Sequence, residues 1–173
     1  MRYSNMTTRL MHIFCVGFLL INSAFAQEER PFFNEVQPID FGELLGLAGT
    51  CILNYDSGLI TDGGGSLCPF PNTRFGDPGR YQIVATPFTN VQIMVDRRPN
   101  TGDGISYTPA GIYQVFGESD TPIIADLNQT IYSGSTGVIT IFLGGTLVSS
   151  VAQSFNSSFS ISIVDGITFN EVP

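Results

Sequence analysis

Polar and apolar residues alternate with a period of two along much of this chain. Tyr81, Ile83 and Ala85 alternate with Gln82 and Val84, and Val91, Ile93 and Val95 with Gln92 and Met94. Phe159-Ser160-Ile161-Ser162-Ile163 is the clearest case, with serine on one face and large apolar groups on the other. Successive side chains of a strand point to opposite faces, so these segments predict half-buried strands. Phe159, Ile161 and Ile163 are expected on the core and the serines in water. Ile112 to Phe116 is a short β-branched and aromatic run. Val138 to Leu143 is apolar on both faces apart from Thr140, which predicts a strand buried on both sides.

Turn chemistry separates these runs. Asp56-Ser57-Gly58, Asp62-Gly63-Gly64-Gly65, Gly76-Asp77-Pro78-Gly79, Pro99-Asn100-Thr101-Gly102, Pro109-Ala110-Gly111, Gly144-Gly145 and Asp165-Gly166 all read as turns, and Asp62 to Gly65 as a hairpin tip. Gly and Pro number 19 and 10 and are spread through the body of the chain, which disfavours long helices. Many short strands between such turns describe an all-β chain, an antiparallel β-sandwich or barrel, with the sandwich preferred. Residues 27–38 differ: they are charged, contain Pro31 and Pro38 and lack clean alternation. They are expected to form an N-terminal arm, partly extended, ahead of a single domain over 39–173. No second domain and no fixed-period repeat is visible.

The first residues change the picture of where this chain works. Arg2, Arg9 and His12 precede an apolar run from Ile13 to Ile21, and Ser23-Ala24-Phe25-Ala26 follows before Gln27-Glu28-Glu29. Small residues at Ala24 and Ala26 fit a signal peptide over 1–26, cut between Ala26 and Gln27; an uncleaved anchor is the alternative. The run is shorter than the roughly 20 apolar residues a helix needs to span a bilayer. No later segment is long and apolar enough to cross one. Cys15 lies inside the leader and is not followed by the small residues that lipoprotein processing requires. The chain is thus expected to be secreted.

Residues 27–173 keep Arg30, Arg74, Arg80, Arg97 and Arg98 and all 15 acidic residues, with no Lys, His or Trp. So acidic a body is a poor partner for nucleic acid or for an anionic membrane surface. Two cysteines remain, Cys51 and Cys68. An even count in an exported chain predicts a disulfide, worth about 3 kcal/mol for a loop of this length. Two thiols without histidine make a poor metal site, and the spacing is not that of a C-x-x-C redox pair.

Several short motifs, in order, carry a family likeness. Ile39-Asp40-Phe41-Gly42 and then Gly49-Thr50 open the body; Tyr81-Gln82-Ile83 follows Asp77-Pro78-Gly79-Arg80; Gly144-Gly145-Thr146-Leu147 and Phe159 to Ile163 come later. Across most of 36–165 the chain resembles a bacterial secreted family known as domain of unknown function 4402. That family typically ends on a strand carrying a Tyr, whereas this chain runs on through Asp165-Gly166-Ile167-Thr168-Phe169. The resemblance implies an exported, pilin- or adhesin-like β-sandwich in the periplasm or on the surface of a bacterium, with no assigned catalytic residues.

Candidate chemistry is sparse. Without His or Lys beyond the leader, a Ser-His-Asp triad, a Cys-His pair and a Schiff-base lysine are excluded there. Asp96 with Asp103, or Glu118 with Asp120, could form the carboxylate pair of an acid-pair hydrolase, although all flank Pro and Gly turns. Asp96, Asp103, Glu118, Asp120 and Asp126 could offer oxygen ligands to Ca²⁺, but no D-x-D-x-D-G loop is present. No cofactor is expected. Asp62-Gly63-Gly64-Gly65 lacks the lysine and helix of a phosphate loop. Asn128-Gln129-Thr130 and Asn156-Ser157-Ser158 fit the glycosylation pattern, which matters only in a eukaryotic secretory path.

Aromatic residues are the remaining resource. Most of the 14 Phe, including Phe41, Phe70, Phe75, Phe88, Phe142 and Phe159, are expected to fill the core of a body without Trp. Phe32 and Phe33, in a polar arm, are candidates for contact with a neighbouring subunit. Tyr107, Tyr113 and Tyr132 are candidates for stacking on sugars. The sequence therefore predicts a non-enzymatic surface subunit that assembles with copies of itself through strand or arm exchange, in which the last residues, Ile167 to Pro173, could also serve as an edge. A monomeric carbohydrate- or Ca²⁺-binding adhesive module is the alternative, and an acid-pair hydrolase the remote one.

Overall fold

The computed structural model describes residues 30–68, 74–99, 103–152 and 158–172, without the side chains of Ser158 and Phe159. The expected signal peptide with its cut at Ala26–Gln27, Phe70, the turn residues 100–102 and the Asn156 triplet's first two residues lie outside them.

The described chain is an all-β, sandwich-like fold of antiparallel strands, with one 3-10 turn at Val164–Gly166. The strands are β1 (Phe32–Gln37), β2 (Ile39–Glu43), β3 (Gly49–Leu53), β4 (Ile60–Gly65), β5 (Gly79–Val84) and β6 (Asn90–Val95). They continue with β7 (Ile105–Val115), β8 (Thr121–Pro122), β9 (Gln129–Tyr132), β10 (Val138–Ser149), β11 (Ser158–Ile161) and β12 (Ile167–Val172). A seven-stranded sheet holds β1, β5, β10, β3, β4, β7 and β8; smaller sheets hold β11–β2 and β12–β6–β9.

One cluster of buried side chains joins all three sheets. Tyr81, Ile83, Tyr107, Tyr113, Ile139, Ile141 and Leu143 come from the large sheet, and Val91, Ile93, Val95, Ile39 and Phe41 from the small ones. Period-two burial on β5 and β6 follows the sequence alternation, and Ile161 and Ile163 are buried while Ser160 and Ser162 are exposed. On β10 only one face is fully buried. Val138, Thr140 and Phe142 on the other face are half-buried, not covered as expected, and the Arg80 guanidinium lies 5.6 Å from the Phe142 ring centre.

Three expected turns are strand instead, and for two of them the physical reason is the same. β10 runs along β7 from Ile139 to Ser149, while its opposite edge is shared by β5 over Val138–Leu143 and by β3 over Gly145–Ser149. The change of partner falls at Gly144, where a Cβ would run into the Leu53 carbonyl oxygen. Gly144 and Gly145 sit opposite Ala110 and Pro109 on β7, so both expected turns face each other inside one ladder. Glycine there marks close backbone approach and not chain reversal. The Tyr107 N–H and C=O bond Arg98, and the Gly111 C=O accepts from Ile123, all on the side away from β10. Pro109 has the same parity, so its missing N–H faces an edge that needs no donor there. The third expected turn, Asp62 to Gly65, belongs to edge strand β4.

Cys51 and Cys68 form the expected disulfide, with Cα atoms 5.6 Å apart. The arm does not stand free of the domain: Phe32–Gln37 pair with Tyr81–Val84 and Arg80 of β5, and the domain boundary at residue 38 falls between two strands of the fold. The C-terminal segment is also occupied, β12 pairing with β6 over Ile167–Val172.

Candidate functional site

Three loops meet at one end of the fold: 85–89 between β5 and β6, 116–120 between β7 and β8, and 133–137 between β9 and β10. Backbone bonds lace the first and third of these together. Ala85 N–H donates to Gly137 O (2.8 Å), Phe88 N–H to Gly134 O (2.8 Å) and Ser133 N–H to Thr89 O (2.8 Å). The fully buried Ser133 hydroxyl donates to Thr86 O (2.8 Å) and accepts from Thr89 N–H (3.0 Å). Polar groups withdrawn from water are expensive unless paired, so this network fixes the 85–89 and 133–137 loops to each other.

On that frame two phenylalanines stand in solvent. Phe116 is 78% exposed and Phe88 is 66% exposed. Phe88 also has φ of 63°, a left-handed conformation that a bulky residue adopts only when its surroundings impose it. Both adjoin Gly134: Phe88 through the bond to its carbonyl, and Phe116 through a backbone oxygen 3.5 Å from where a Cβ would stand.

Beside Phe116 lies an open groove of about 350 Å³, lined among others by Gln114, Glu118, Asp120, Thr136 and Thr140. A long hydrogen bond (3.4 Å) joins the Gln114 amide to Asp120. On the other side of the 116–120 loop a pocket of about 220 Å³ is bounded by Glu118, Thr130 and Tyr132. The groove offers carboxylate, amide and hydroxyl groups beside an aromatic ring, and among the described residues no basic side chain lines it.

The expected site residues are divided by this geometry. Glu118 and Asp120 share the groove. Asp103 is bonded to Arg98 (2.7 Å) and Asp126 to Arg97 (3.0 Å), so each of these acids has a cation beside it. Among the described residues no three His, Cys, Asp or Glu side chains gather as a metal-binding set. Tyr107 and Tyr113 are buried and present no ring to a sugar; burial pushes both phenols far above the usual range. The Tyr107 hydroxyl donates to Gly144 O. Tyr132 alone of the three stays partly exposed.

Phe33 turns inward. Its ring stacks with Tyr81 and Phe169 of its own chain, so it is not free for a neighbour while β1 stays in place. Phe32 is half-buried on the opposite face. Phe75, like Phe88, is exposed and not core. The core aromatic mass comes from Tyr81, Tyr107, Tyr113 and Phe41.

Phe116 and Phe88 were not singled out as surface groups by sequence. The available signal was an aromatic set in turn chemistry: Phe116 before Gly117-Glu118-Ser119-Asp120, and Phe88 in Thr86-Pro87-Phe88-Thr89-Asn90.

Comparison with protein-family models, curated proteins and solved structures finds no match to this chain.

Proposed function

We propose that this chain is an exported, non-enzymatic surface subunit, pilin- or adhesin-like, that assembles with copies of itself by exchanging β1. The position of β1 supports this reading. It is the first described strand, it pairs with β5 alone among the described strands, and three of its six residues, Asn34, Glu35 and Val36, are exposed. One residue, Pro38, separates it from β2, which belongs to a different sheet. A terminal strand on a short hinge can leave its own β5 and restore the same ladder on a neighbour's β5. The exchange keeps the backbone bonds and the Phe33 contacts, so its equilibrium turns on hinge geometry and protein concentration. The leader-like start and the Cys51–Cys68 disulfide support an oxidising, extracytoplasmic setting.

Residues 27–173 contain every described element, so they are the chain to test. Light scattering behind size exclusion, with negative-stain microscopy, is expected to find oligomers or filaments. Residues 38–173 are expected to lose assembly while keeping the alkaline transition of Tyr107 and Tyr113, which β1 does not cover, and a strictly monomeric 27–173 chain at all concentrations would count against the reading.

A further inference from the structure

We propose that the loop end bearing Phe88 and Phe116 is a binding site for a neutral carbohydrate. It is independent of strand exchange, because β1 contributes none of its residues. Four observations carry it. Two large apolar rings gain almost nothing for folding where they stand, since most of each is in water. Single exposed apolar residues are ordinary, but these two stand on neighbouring loops, the Phe88 N–H bonded to the Gly134 carbonyl and the Phe116 carbonyl lying beside Gly134. Phe88 is held at positive φ, a backbone cost the loop network imposes. The adjoining groove of about 350 Å³ is lined by Gln114, Glu118, Asp120 and Thr136 and lies within the size range of small-ligand sites.

The chemistry of that groove selects the ligand class. A pyranose has one face of C–H bonds and a rim of hydroxyls. The C–H face is weakly positive and suits the negative face of a phenylalanine ring. The hydroxyls donate to carboxylates, which are acceptors only, and exchange bonds with the Gln114 amide and the Thr136 hydroxyl. Glu118 and Asp120, with no cation lining the groove, repel uronate, sulfate and phosphate groups. The apolar flank of a partner protein suits the site less well, because carboxylates interrupt the apolar surface and would be desolvated without partners. Loops at the end of a β-sandwich are the usual place for such recognition, since a rigid scaffold carries them without depending on them.

The test is affinity electrophoresis of residues 27–173 in native gels containing soluble β-glucan, xylan, galactomannan or dextran, with polygalacturonate as the anionic comparison. At least one neutral polysaccharide is expected to retard the protein and polygalacturonate not to. Phe116→Ala is expected to weaken that retardation tenfold or more, and Glu118→Gln with Asp120→Asn to weaken it too, with thermal unfolding unchanged. Phe75→Ala, which removes an exposed ring that does not line the groove, is expected to leave it intact. No retardation by any neutral polysaccharide, retardation by polygalacturonate alone, or retardation indifferent to Phe116→Ala would each overturn the proposal.

Discussion

The ring of Phe33 stacks on that of Tyr81 with centroids 5.7 Å apart and planes 18° from parallel. This contact ties the first strand to the fully buried face of β5, and Phe169 of β12, 6.0 Å away, joins the same stack. Truncating Phe33 to Ala removes an aromatic anchor that is half-buried. The expected loss is about 2 kcal/mol, below the roughly 3–5 kcal/mol typical of a fully buried Phe. Phe32→Ala, on the other face of β1, is expected to cost less than about 1 kcal/mol. Denaturant unfolding of the two variants checks the difference; equal losses would remove the stack from the account.

The disulfide is the second staple. Reducing Cys51–Cys68, or replacing both by Ser, is expected to lower stability by about 3 kcal/mol, because the unfolded chain regains the freedom of the closed loop. Thermal unfolding with and without reductant reads this directly. The folded signal should persist after reduction, since one core cluster also holds the three sheets.

The three buried tyrosines make stability fall at alkaline pH. Desolvation is the first cause of the raised pKa of Tyr81, Tyr107 and Tyr113, with Glu35 adding to it at Tyr81 and Tyr81 adding to it at Tyr107. Each folded value lies above the unfolded value of about 10. The neutral phenols therefore favour the folded state fully below that pH, and the advantage is lost as the pH rises above it and the unfolded phenols ionise. Phenolate absorbance for these three is expected to appear together with loss of tertiary signal. Their smooth titration in a folded protein would contradict the burial.

Gly144 tests the change of strand partner along β10. Gly144→Ala is expected to cost roughly 2–4 kcal/mol, because its Cβ would meet the Leu53 carbonyl and the Tyr55 nitrogen. Gly166→Ala, where a Cβ finds nothing closer than 3.8 Å, is expected to change stability by less than about 0.5 kcal/mol. Comparable losses at both positions would argue against the change of strand partner at Gly144.

The same glycine shows why some elements were legible in sequence and others were not. Tyr81-Ile83-Ala85 and Val91-Ile93-Val95 could be read because burial on one face imposes a two-residue period. Gly144-Gly145 and Pro109-Ala110-Gly111 misled, because a chain reversal and a close crossing of two strands both call for small or φ-restricted residues. Cys51 and Cys68 were legible from their number. Phe88 and Phe116 were not, since whether an aromatic fills a core or stands on a loop depends on contacts far away in sequence. The Phe88 loop is held by a bond to Gly134, 46 positions on. Glu118 and Asp120 were visible as acids, but their groove exists only once β7 and β10 lie side by side.

Strand exchange is tested most directly by a cross-link across its own ladder. Asn34 on β1 pairs with Gln82 on β5. With Asn34→Cys and Gln82→Cys carried on separate copies of residues 27–173, the two proteins are mixed at high concentration, allowed to assemble and oxidised. Exchange of β1 predicts a covalent dimer joined through the two introduced cysteines, identified by mass spectrometry of the linked peptides. If the mixed sample yields no such link, while the double variant on one chain closes readily within itself, β1 stays on its own β5 and the central claim fails.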